Sequence, residues 1–97
     1  MKEHELYQRK MQAQLDELQA DIDKLKAKAA GASATAQLEM HRQINTLEKA
    51  INEGRTKLAQ LADASEEAWE SIKVGVETAW HSLKSGFNEA ANKFKKE

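Results

Sequence analysis

The sequence predicts an all-α chain: long coiled-coil helices over residues 1–62, then a C-terminal amphipathic helix over 63–97. Three observations predict it. The chain has no Pro, so the commonest stop signal for a helix interior is missing throughout. Its dominant residues are Ala, Glu, Lys, Leu and Gln, which lose little conformational freedom in a helix. Its apolar residues recur every three or four positions, the spacing that puts them on one helix face.

The first segment follows a heptad. Met11, Leu15, Leu18, Ile22, Leu25, Ala29 and Ala32 alternate four- and three-residue steps, the seam of a left-handed coiled coil. Met40, Ile44, Leu47, Ile51, Gly54, Leu58 and Leu61 repeat the pattern. Met11, Gln14, Leu15, Leu18 and Ile22 line up with Met40, Gln43, Ile44, Leu47 and Ile51 at an offset of 29 residues. Five matches to a loose pattern fit both a duplication and chance.

Between the seams lie Ala29-Ala30-Gly31-Ala32-Ser33-Ala34-Thr35-Ala36. Gly, Ser and Thr argue for a turn at 29–36 and hence an antiparallel hairpin. The alanines argue for continuity. Phase favours continuity, because 29 residues advance a helix by about 20° beyond whole turns and keep both seams on one face. The expectation is therefore one long helix, with the hairpin as the alternative.

A helix start is better marked at Asp63-Ala64-Ser65-Glu66, which has the form of a capping box. Glu66 and Glu67 suit the positive end of a helix dipole, and Lys93, Lys95 and Lys96 suit the negative end. In this last helix the spacing changes. Trp69, Ile72, Val76, Trp80, Leu83, Phe87, Ala91 and Phe94 follow steps of 3-4-4-3-4-4-3, an 11-residue repeat. Ala, Trp, Ser, Lys and Gly recur at identical positions in residues 67–77 and 78–88. Eleven residues fill three turns at close to the pitch of a free helix, so this face is expected to run straight. Gly75 and Gly86 share one repeat position and mark either a close approach of another backbone or a tolerated surface site.

Composition narrows the function. Aromatic residues make up 5% of the chain, and narrow apolar seams call for a partner helix, so an elongated homo-oligomer is expected. The Trp-bearing face is expected to pack inside that assembly. The alternative for residues 69–94 is contact with lipid or another apolar surface, with Lys73, Lys84 and Lys95 snorkelling beside the rings. The net charge of −1 is evenly distributed: residues 1–34 hold six charges of each sign. No basic stripe is present, which argues against nucleic-acid binding. No apolar run has the length of a membrane span, and the N-terminus has no apolar signal core, so a cytoplasmic protein is expected. No nucleophile motif, phosphate loop or metal spacing occurs, so neither enzyme activity nor a cofactor is expected. His4, His41 and His81 are far apart in sequence, Glu77 with His81 makes only a two-group pair, and Tyr7 stands alone near the first helix's start.

The segment Leu15-Asp-Glu-Leu-Gln-Ala-Asp-Ile-Asp-Lys-Leu-Lys-Ala-Lys-Ala29, with Ala64-Ser-Glu-Glu-Ala-Trp-Glu-Ser-Ile-Lys-Val-Gly-Val-Glu-Thr-Ala-Trp80, resembles a family of small bacterial coiled-coil stress-response proteins. The resemblance implies a role in stress response, no catalytic residue and no cofactor. The chain departs from it at Gly31-Ala32-Ser33, where the family is charged and uninterrupted.

Overall fold

The computed structural model describes residues 2–95, with the side chains of 3–94. Three α-helices fill this span: α1 (Lys2–Ala30), α2 (Ala34–Ala62) and α3 (Glu66–Lys95). They run up, down and up as a bundle of 50 × 18 × 17 Å. The long dimension is set by helix length, since 29 residues at 1.5 Å each span roughly 44 Å.

The expected continuous first helix is corrected here: the chain turns at Gly31–Ser33, and α1 and α2 form an antiparallel hairpin. The reason is burial. Two seams in phase on one straight helix would leave both exposed in a single chain. Folding back lays one on the other and removes both from water. Met11, Leu15, Leu18, Ile22, Leu25 and Ala29 on α1 are buried with Met40, Ile44, Leu47, Ile51, Leu58 and Leu61 on α2. Ile22, Ile44 and Ile51 form the driest part, each at most 1% exposed. Gly54 takes a seam position because α1 comes close: a Cβ there would lie 3.5 Å from Leu15 Cδ2.

Both turns are short. Ser33 caps α2, its Oγ accepting from the Ala36 amide at 3.3 Å. At the second turn the cap is Ser65, whose Oγ accepts from the Ala68 amide at 3.2 Å. Asp63 closes α2, its amide donating to the Gln60 carbonyl and that of Ala64 to the Leu61 carbonyl, and α3 starts at Glu66, within the marked segment 63–66.

α3 also departs from expectation. Its deepest residues are Trp69, Val76, Leu83 and Ala90, spaced by seven, followed by Phe94. Ala90 is 1% exposed, and Ala91, the repeat's own position, is only partly buried. The neighbouring helix α2 sets this period, because a helix packed along another at a shallow angle keeps contact every 3.5 residues. Ile72, Trp80 and Phe87 therefore pack at the margin of the core. The two in-phase glycines also differ: a Cβ on Gly86 would lie 3.5 Å from Leu47 Cδ2, while Gly75 has nothing within 4 Å.

Candidate interaction groove

α2 packs closely along both neighbours, whereas α1 and α3 approach each other over only a short stretch. Three ion pairs follow the same division. Arg55 meets Asp16 at 2.8 Å and Lys26 meets Glu48 at 2.6 Å across α1 and α2; Lys93 meets Glu39 at 2.8 Å across α2 and α3. The hydrogen bonds from Arg55 and Lys93 hold the Asp16 and Glu39 carboxyls below their ordinary values. All six groups reach solvent, so these pairs set register more than stability.

A groove is left between α1 and α3. Gln14, Glu17, Leu18 and Asp21 line it from α1, and Trp80, Lys84, Phe87 and Asn88 from α3. Leu18 forms its buried floor, with half-buried Trp80 and Phe87 along one wall. Lys84 Nζ lies 5.7 Å from the Trp80 ring centroid, a cation–π distance that keeps the charge at the rim.

One end of the groove is closed by a cluster that sequence reasoning missed. The His4 ring stacks on Trp69 at 3.9 Å with 9° between planes, and Tyr7 meets Trp69 edge-on at 5.4 Å. The Tyr7 hydroxyl donates to Glu77 Oε1 at 3.2 Å, and Lys73 Nζ lies 5.1 Å from the Tyr7 centroid. Burial, then the charge of Glu77 and the hydrogen bond to it, push the Tyr7 hydroxyl up to about 12. The Trp69 indole N–H is buried with no hydrogen-bond partner among the described residues, so Trp69 holds its place through ring contacts. His4 lies one heptad before Met11 but is polar, and Tyr7 falls off the alternating four-three spacing, so the apolar pattern includes neither. Only the folded bundle brings them against residues more than 60 positions away.

The residues expected to form the packing seams are thus mostly in the core of this one chain. Trp80, Phe87 and Ile72 stand at its edge. Leu6, Leu38 and Val74 are exposed, at 61%, 57% and 61%. Lys73 and Lys84 do lie against aromatic rings; the Lys95 side chain and Lys96 fall outside the described residues. Among the described residues, no three acidic or histidine side chains gather to hold a metal ion, and no helix is long and apolar enough to cross a membrane. No family model, curated protein or solved structure matches the chain.

Proposed function

We propose that this chain is a non-catalytic helical interaction protein that self-assembles, with the α1–α3 groove as a contact surface between copies. The observation that carries this is the half-buried pair Trp80 and Phe87 beside Leu18, which the chain's own helices do not finish covering. Aromatic residues in such a setting supply much of the energy of helix association once a second surface excludes water. The resemblance of residues 15–29 and 64–80 to small bacterial coiled-coil stress-response proteins supports a stress-response role for that assembly.

Sedimentation equilibrium tests the proposal. The average mass is expected to rise with concentration in the micromolar range. Trp80→Ala with Phe87→Ala is expected to weaken association about tenfold or more, as for loss of a buried aromatic anchor. A single-chain mass at every concentration overturns the proposal.

A second reading has support from Lys84 beside Trp80, a pairing suited to the boundary between water and an apolar surface. In that reading the groove contacts lipid or a lipid granule. Flotation with neutral and anionic vesicles tests it, and protein left at the bottom of both gradients eliminates it.

A further inference from the structure

The turn between α1 and α2 contains little that commits the chain to turning. Many helices end on a left-handed residue, usually glycine. Here no described residue, glycine included, has a positive φ. The Gly31 amide donates to the Lys28 carbonyl at 3.2 Å and the Ala32 amide to the Ala29 carbonyl at 3.0 Å. Tight right-handed turns thus carry the chain as far as Ala32. Ser33 then becomes extended, with φ −62° and ψ 161°. Its φ already has a helical value, so ψ alone separates this residue from a helix. A Cβ on Gly31 would meet only the Lys28 carbonyl, at 3.8 Å. Ala29, Ala30, Ala32, Ala34 and Ala36 around it are the best helix formers.

The seams add a second observation. The buried residues of α1 and α2 are offset by 29 positions, about 20° of helix rotation. In a straightened chain they would form one apolar line. Two such chains side by side and antiparallel would remake the contacts of the hairpin, Leu15 against Gly54 and Asp16 against Arg55, between copies. The third observation is that α1 is bound chiefly by α2. Its side toward α3 is open beyond the ring cluster of His4, Tyr7 and Trp69.

We propose that the partner of α1 can be the α2–α3 unit of a second copy: the chain straightens at Gly31–Ser33, and two copies exchange α1. Short interhelical turns favour such exchange, because a helix is easily continued through them. In the exchanged dimer α1 and α2 form one helix about 90 Å long at 1.5 Å per residue, against 50 Å for the bundle. α2 and α3 stay paired within each chain. Ser33 Oγ on the Ala36 amide, and Gln37 Nε2 on the Ala30 carbonyl at 3.1 Å, favour the closed hairpin. A straight helix assigns that carbonyl to the Ala34 amide. The proposal rests on the reading that copies associate, and it names a mode distinct from contact through the groove.

The chain has no Cys, so introduced thiols are unique. Asp16→Cys with Arg55→Cys reports the α1–α2 contact, and Glu39→Cys with Lys93→Cys the α2–α3 contact. Each pair is bridged with a short bis-maleimide on the full chain at micromolar concentration. The first pair is expected to give covalent dimers, and the second to bridge within one chain. Gly31→Ala with Ser33→Ala is expected to raise the dimer-to-monomer ratio of the first pair about tenfold. Ala34→Pro is expected to abolish its dimers. Proline suits the first position of a helix, and Ser33 before it is already extended, so the hairpin tolerates this change while a continuous helix does not. Bridging of the first pair only within one chain, even in the Gly31→Ala, Ser33→Ala background, overturns exchange. A doubled mass alongside that result leaves self-assembly through the groove standing; a single-chain mass overturns both. Between-chain bridging at residues 39 and 93 would also overturn the proposal, because it requires α3 rather than α1 to move.

Discussion

The two turns of the bundle have nearly the same geometry and very different sequence support. In each, two amides bond three residues back and a serine Oγ caps the next helix. The second turn is locally encoded. Asp63 closes α2, Ser65 opens α3, and Glu66 and Glu67 face the positive end of the α3 dipole. The first turn sits in an alanine-rich stretch, and the first turn of α2 has no acid at all. One break is dictated by nearby residues. The other is dictated by what lies along the whole length of the helices it joins, the two seams that bury each other. A hairpin closed by packing at a distance is the kind that a second copy can also satisfy.

This contrast can be broken most directly by weakening the packing. Ile51 is fully buried, so Ile51→Ala is expected to cost about 2–5 kcal/mol, read as a lower urea midpoint. Amide exchange should then accelerate more at residues 34–37 than at 66–69. Equal acceleration would show that the first turn has local support after all.

The caps give the next largest effect. Ser65→Ala is expected to cost about 1 kcal/mol. Glu66→Gln with Glu67→Gln should cost a further ~0.3–1 kcal/mol at low ionic strength. The converse change, Thr35→Glu, supplies the first turn with the acid it lacks and should stabilise the chain by a similar few tenths. Thermal unfolding at low and high salt checks all three, since the charge effects should fade with salt while the Ser65 effect persists.

The smallest effect belongs to the ring cluster. Tyr7 is the only tyrosine, so absorbance at 295 nm reports it alone. Its titration is expected near 12 rather than at the ordinary 10. Because the folded value is the higher one, its contribution to stability is complete below pH 10 and is lost as pH rises toward 12. Tyr7→Phe should flatten that part of the pH profile. A titration at 10 would mean that the α1–α3 end stands open in solution.

The helices themselves were legible in the sequence, because periodicity and composition agree along the whole chain. The heptad positions that fall on α1 and α2 are buried, down to Gly54, while Ala32 falls in the turn and is only partly buried. The first turn was not legible, because phase and alanine content permit a straight helix, and only the gain from burying two seams together selects the hairpin. The 11-residue repeat was legible as a pattern, and seven of its eight face positions, all but Ala91, lie in or against the core; how deep each sits was not legible. Its period belongs to α3 alone, whereas the buried line Trp69, Val76, Leu83 and Ala90 is set by α2 alongside it. The groove could not be anticipated for the same reason: Trp80 and Phe87 reach its wall through the mismatch between the two periods.

The unequal settings of the two tryptophans make the chain its own spectroscopic probe. Trp69 is 5% exposed and stacked on an imidazole, while Trp80 is half-buried on an open wall with an ammonium nearby. A dry indole emits to the blue of a wetted one. Emission from Trp69 therefore reads whether the closed end stays dry, and the colour of Trp80 reads whatever arrives at the groove. Replacing either indole with phenylalanine would isolate the other signal, so that opening of the bundle and occupation of its side could be timed separately in one unlabelled sample.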